Sequence, residues 1–303
     1  MLELGMDIEK LLEKYQPDFA VAYGSGVFRQ SGYADDEKPM IDFIFGVQNS
    51  FEWHEWNMKE HPKDYSFVSR MLGAGAVRKI QKYGARVAYN SGCDFEGKQL
   101  KYGIVQMDEL IADLTQWKDL YVAGRLQKPT AMLKVPDELQ AHIQTNLEHV
   151  LHVALLLLPE NFSELDLYLK IAGVSYMGDY RLKLGEPSKK INNIVEPNFE
   201  EFKNLYSPLI DQIDFVEQTK DGFEQEKSLI LTRSIVDKLP DILSKRINEK
   251  DFASQESVEK KIRKGIRKIV GNSSIQQTLK GAILVNPDKS AKYVLRKIIK
   301  AFN

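Results

Sequence analysis

The chain has 303 residues, 43% apolar and 28% charged, the make-up of an ordinary globular protein with room for about two domains. The longest apolar run, Val153 to Leu158, falls far short of the roughly 18 residues of a membrane-spanning helix. Cys93 is the sole cysteine, which excludes an internal disulfide and a cysteine-built metal centre and is compatible with a reducing compartment.

A net charge of −1 hides a sharp division. From Lys250 to Asn303 there are 13 Lys+Arg against 4 Asp+Glu, a surplus of +9, so the preceding residues carry −10. A basic tail on an acidic body predicts an anionic surface as partner. The acidic, arginine-free start, Met1 to Glu9, is neither a secretory signal nor a mitochondrial presequence, so a targeting segment is expected to be absent or removed.

In chain order, Ile8 to Tyr15 reads as a short amphipathic helix closed by Pro17, and Phe19 to Tyr23 as a strand. The strand delivers Gly24-Ser25, a tight turn whose backbone N–H groups can face an anion. Pro39 leads into Ile41 to Val47, a buried strand with one carboxylate, Asp42, at its entry. A helix is expected from Ser50, with Ser50 as its cap, and another over Ser66 to Tyr83, interrupted by Gly73 and Gly75. Ala85 to Asn90 and Leu100 to Gln106 read as paired strands joined by a turn-rich Ser91 to Gln99. Met107 to Ala123 reads as one helix stopped by Gly124, followed by a basic loop, Arg125 to Pro129.

Past Pro136 the pattern turns helical: Asp137 to Leu158, a turn over Pro159 to Phe162, then Ser163 to Tyr176 with a Ser163/Asp166 capping box. Gly178-Asp179 breaks that helix. Leu182 to Pro197 is polar, and Phe199 to Lys245 is expected to be largely helical. The division is residues 1–134, 135–249 and a basic amphipathic region 250–303. In the last, Val258, Ile262, Ile266, Ile269 and Val270 form one apolar stripe. Ala291, Val294, Leu295, Ile298, Ile299 and Phe302 form another, within an arc of about 140°. Both stripes face lysine-rich sides, Lys297 among them, and fit interfacial membrane binding as well as packing on their own domain.

A glycine-serine turn beside a strand carboxylate is what nucleotidyl transfer needs, because a metal and a triphosphate must be held together. A glycine-rich turn with a strand-capping Asp is the structural alternative. The positions two away from Asp42 are Met40 and Ile44, so no paired acid accompanies it. Asp179 is the candidate distant partner and is otherwise a helix-end turn residue. Arg125 and Lys128 suit a phosphate, or simply a helix C-terminus. His54, His142, His149 and His152 read as core or surface histidines.

Four segments resemble the mitochondrial-type phosphatidate cytidylyltransferase family: residues 23–28, 41–47, 120–129 and 171–179. Residues 273–281 and 293–300 resemble its C-terminal motif. The Gly124-Arg-Leu-Gln-Lys-Pro129 string carries the most specificity. The resemblance implies an α+β architecture: a nucleotidyltransferase-fold (DNA polymerase β-like) domain, a helical, winged-helix-like domain and a C-terminal amphipathic helix. It implies Mg²⁺-dependent cytidylyl transfer from CTP to phosphatidate, giving CDP-diacylglycerol for cardiolipin and phosphatidylglycerol synthesis, with no nucleic-acid partner. On it, Gly24 and Ser25 take the CTP phosphates, Asp42 and Asp179 the metal, and Arg125, Lys128 and Lys101 offset phosphate charge. Val294, Lys297, Ile298 and Phe302 meet an anionic membrane. The expected location is peripheral, on the matrix side of the mitochondrial inner membrane or the cytoplasmic face of a bacterial one. The alternatives are a soluble nucleotidyltransferase acting on a small hydroxyl or RNA, and a membrane-bound scaffold without chemistry. Oligomeric state is left open.

Overall fold

The computed structural model describes residues 5–28, 30, 39–180 and 187–284. It opens with α1 (Ile8–Tyr15), β1 (Phe19–Tyr23), β2 (Ile41–Val47), α2 (Ser50–Glu60) and α3 (Phe67–Gln81). The hairpin β3 (Ala88–Phe95) and β4 (Lys98–Gln106) follows, then α4 (Met107–Gln116), α5 (Ala123–Leu126) and β5 (Ala131–Lys134). The second half runs α6 (Asp137–Leu157), β6 (Asn161–Phe162), α7 (Glu164–Val174), α8 (Pro187–Val195) and α9 (Phe199–Ile210). It closes with β7 (Val216–Thr219), β8 (Gly222–Gln225), α10 (Leu229–Asp237), α11 (Asp241–Ser244) and α12 (Gln255–Leu284).

The main sheet has the order β3-β4-β2-β1-β5; β2 and β4 are parallel and every other pairing is antiparallel. Strand alternation gives its two faces separate cores. Ala20, Ala22, Phe43, Phe45 and Tyr102 pack with Leu11 and Tyr15 of α1 and Trp53 of α2. Phe19, Val21, Ile44 and Val105 face the other way, into a cluster that runs through α4, α6 and α7 to Val258, Ile262 and Ile266 of α12. The chain is therefore a mixed α/β protein, with a second, three-stranded sheet of order β6-β8-β7 beside the helices.

Several elements depart from the sequence expectation. Asn49, not Ser50, caps α2, its side chain accepting from the N–H groups of Phe51 and Glu52. The strand expected to end at Asn90 runs to Phe95, because Cys93 and Phe95 bury against β4 after an irregularity at Gly92. The helix expected to reach Ala123 stops at Gln116, where Trp117 turns left-handed (φ 51°) and buries its indole. Gly124 lies inside α5 rather than ending a helix. The expected turn over residues 159–162 and the expected helix after Phe199 instead supply β6, β7 and β8. The first basic stripe is core: Val258, Ile262, Ile266, Ile269 and Val270 are all buried, so packing on the chain itself accounts for it. Val294, Lys297, Ile298 and Phe302 lie outside the described residues.

Candidate active site

The site begins as one row across the main sheet. Tyr23 on β1, Asp42 on β2 and Lys101 on β4 are register partners, and Ser91 on β3 continues the row. Residues in such a row project to the same face. Lys101 Nζ donates to Asp42 Oδ1 at 2.7 Å, so the lysine expected to offset phosphate charge is paired with the strand carboxylate. Both side chains are about one-quarter exposed, so the pair borders solvent rather than the core. Gly24 has φ +82°, a left-handed turn that glycine makes without strain, and a Cβ there would lie 3.4 Å from Asp42 Oδ2. The turn thus sits against the second oxygen of the Asp42 carboxylate.

Aromatic rings join this row to the cationic segment. Tyr89 lies over β4 because Gly103 has no side chain: a Cβ there would sit 2.6 Å from the Tyr89 ring. Lys101 Nζ is 4.5 Å from the centre of that ring, and the Tyr89 hydroxyl meets that of Tyr23 at 3.2 Å. Burial pushes the Tyr89 phenol well up, so it stays neutral. The Arg125 guanidinium lies 3.8 Å from the Tyr121 ring centre and 5.2 Å from that of Tyr23. It donates to the Tyr121 carbonyl at 2.6 Å, while its buried Nε has no partner among the described residues.

One turn on, Lys128 Nζ donates to the Gly124 carbonyl and to Ser175 Oγ. Lys128 and Lys190 of α8 approach the same Tyr176 ring, at 5.1 and 5.0 Å from its centre. Burial, then the charges of Arg125 and Lys190, bring the Lys128 ammonium down to about 7. Gly124 permits this assembly, since a Cβ there would lie 2.4 Å from Ser175 Cβ.

Two residues that no motif reveals hold the segment. Asp113 of α4 accepts five backbone N–H groups: Asp119 and Leu120 on Oδ1, and Tyr121, Val122 and Ala123 on Oδ2, at 2.7–3.1 Å. Asn146 of α6 accepts from Trp117 Nε1 and Gln127 Nε2 and donates to the Ala123 carbonyl. The available signal was a carboxylate on the apolar face of α4, where it needs partners.

Asp179 is placed differently. It is buried past the end of α7, its N–H bonded to the Tyr176 carbonyl. Gly178 beside it packs on the backbone of Arg267 in α12. Asp179 thus shares the Ser175–Tyr176 end of the site. Among the described residues, no three His, Cys, Asp or Glu are grouped to hold a metal ion. His54 is a core residue between the Tyr65 hydroxyl and Gln81 Oε1, and burial brings it down to about 4. Burial also brings His149 of α6 down to about 4 and lowers His152 on the same helix.

A mixed α/β chain that gathers a glycine-serine turn, a strand carboxylate and a fixed cationic segment at one sheet row is equipped to handle a phosphate-bearing anion. It belongs to the family described as mitochondrial phosphatidate cytidylyltransferase, whose model matches residues 8–300. It is similar to the proteins named mitochondrial phosphatidate cytidylyltransferase from Schizosaccharomyces pombe (35% identity, covering 98% of this chain and 84% of the relative) and Mus musculus (35%, 98% and 94%). The Danio rerio protein of that name is 35% identical, covering 96% of this chain and 93% of its own length.

Proposed function

We propose that this chain transfers the cytidylyl group of CTP to phosphatidate, giving CDP-diacylglycerol and pyrophosphate. The observation that carries the reading is the Gly24-Ser25 turn against Asp42, joined through Tyr23 and Tyr89 to Arg125. A phosphatidate oxygen attacks the α-phosphorus of CTP, and the bond to the bridging oxygen breaks with its electron pair leaving on pyrophosphate. Phosphatidate is an oxyanion near neutral pH, so no strong base is required. The protein's work is to neutralise two anions and align them.

Backbone N–H groups of the Gly24-Ser25 turn suit the triphosphate. The Arg125 Nε, buried and without a partner among the described residues, suits a further phosphate oxygen, and Lys128 adds charge at the same end. The donor chemistry at Asp42 fits magnesium, a hard cation that takes one or two carboxylates together with substrate phosphates. Asp42, with Asp179 as a positioning or second metal group, would hold it, and the bound ion would neutralise charge on the triphosphate. The order β3-β4-β2-β1-β5 supports a nucleotidyltransferase fold for residues 1–134. The succession α6, β6, α7, α8, α9, β7, β8 with strand order β6-β8-β7 supports a winged-helix unit after it. Among the described residues no helix is long and apolar enough to cross a membrane. A lipid substrate and a basic C-terminal region support peripheral attachment to an anionic membrane, the matrix side of the mitochondrial inner membrane. Pyrophosphate release from CTP that requires both phosphatidate and Mg²⁺ is the expected result; release without lipid, or to an RNA acceptor, would replace this reading.

A further inference from the structure

The first two turns of α3 have inverted polarity. Ser66 and Ser69 are buried and bond to each other at 2.9 Å, whereas Phe67, Val68, Met71 and Leu72 face outward, Phe67 62% and Met71 71% exposed. Such a helix normally buries its apolar side. Eight of the eleven exposed large apolar side chains among the described residues lie on α2, α3 and its end, and α12. The α12 members, Ile275 and Leu279, adjoin the end of α3, where Lys280 Nζ donates to the Gln81 and Tyr83 carbonyls and Gln276 Oε1 accepts from the Gly84 N–H.

Charge identifies what covers this face. Between Asp64 and Asp94 the sequence has five cations and no acid. Arg78 and Arg86 pair with Glu109 and Asp119, whereas Arg70, Lys79 and Lys82 are exposed beside the apolar side chains. On α12, exposed Lys264 and Lys268 share the helix face of Ile275 and Leu279 within roughly 60° at 100° per residue. Along α3 the exposed apolar side chains are interleaved with lysine and arginine and with no carboxylate, which matches an anionic bilayer surface. A symmetric pairing of two copies here would oppose cation to cation.

We infer that the outer face of α3, with the Ile275–Leu279 edge of α12, is a docking surface for an anionic lipid bilayer, separate from the segment at 290–303. The inference rests on the reading of phosphatidate as substrate, which requires work at a membrane.

The test uses the full chain with phosphatidylcholine vesicles, with and without phosphatidylglycerol. The double substitution Met71→Glu/Leu72→Glu should weaken sedimentation with anionic vesicles about tenfold or more. Turnover of a dispersed short-chain phosphatidate should stay within about twofold of the original, because the site row is untouched. Cys93 is buried, so Met71→Cys offers one accessible thiol for an environment-sensitive fluorophore, which should shift to the blue with anionic vesicles. Unchanged sedimentation, or a label that stays in water, overturns the inference. So does a lipid-free dimer that the double substitution dissolves, which would make a second copy the occupant. Absent turnover of dispersed phosphatidate by the unsubstituted chain would instead count against the proposed reaction, and vesicle binding is read independently of it.

Discussion

Asp42 carries two duties that one substitution separates. Its carboxylate pairs with Lys101 and is the proposed metal ligand. Asp42→Asn keeps the shape and removes the charge, so CDP-diacylglycerol formation should vanish. A part-exposed pair contributes little to stability, so the thermal midpoint should fall by the equivalent of about 1 kcal/mol or less. A folded variant with near-original turnover would remove Asp42 from the metal site. Arg125→Ala and Lys128→Ala should each raise the KM for an anionic substrate roughly 10- to 150-fold, the loss of one charge-assisted contact of about 1.5–3 kcal/mol. If KM is unchanged and only the melting temperature falls, the carbonyl bonds of these side chains are their whole role. Lys128 adds a pH signature. Its folded value near 7 lies below the ordinary lysine value of 10.5, so the folded protein binds fewer protons than the unfolded one between those limits. The cost of burying its charge is therefore fully present below pH 7 and is relieved as pH rises toward 10.5. In the folded protein the cation is lost as pH passes through about 7, so KM should climb from roughly pH 6 to 8, and Lys128→Arg should flatten that limb.

At the scale of elements, the segment 117–128 is held by side chains rather than by regular structure. Asp113→Asn replaces an acceptor oxygen by a donor and leaves two or three of the five N–H groups unmatched, each at about 1–3 kcal/mol. A large fall in melting temperature with a raised KM is expected; calorimetry showing little change would mean that Asn146 and the Trp117 packing suffice. This segment also shows where the sequence stopped being legible. The strands Phe19–Tyr23 and Ile41–Val47, the helix Ile8–Tyr15 and the Ser163/Asp166 box were readable because local pattern and capping chemistry agree with the fold. The break at Trp117 was not, since Leu110, Leu114 and Trp117 keep helical spacing and only the distant Asn146 and the buried Asp113 carboxylate favour a turn. The hairpin Val216–Gln225 was missed for a related reason: its strands are four residues each, β7 is largely exposed, and β8 buries the polar Gln225 beside Phe223, so neither shows apolar alternation. Within the candidate site, Gly24, Asp42, Arg125 and Lys128 stand out in the sequence by residue type. The Tyr23–Tyr89–Tyr121 setting does not, because it depends on sheet register and on the space left by Gly103.

For the whole molecule, the basic C-terminal region, residues 250–303, divides in two. The apolar stripe from Val258 to Val270 is core, so of the two C-terminal stripes only the one at 291–302 is left for the proposed membrane contact. Deleting residues 290–303 should weaken binding to anionic liposomes and slow turnover of bilayer phosphatidate, and binding should also weaken as salt rises, each lysine contributing about 1 kcal/mol before screening. Turnover of a short-chain phosphatidate should survive. Unchanged liposome sedimentation, or an unfolded truncate by circular dichroism, would defeat that role for the segment.

The clip between α12 and the end of α3 has a kinetic consequence. Gln276, Gln277 and Lys280 bond to Gly84, Val87, Gln81 and Tyr83 across sequence separations of 190 to 199 residues. Chains are made from the N-terminus, and contacts this remote close late. During synthesis the C-terminal end of α3 and the residues leading into β3 therefore wait, exposed, until α12 has emerged. A nascent chain stalled before Gly271 should be captured by chaperones and cut within residues 82–88, and one extended past Gly281 should resist the protease.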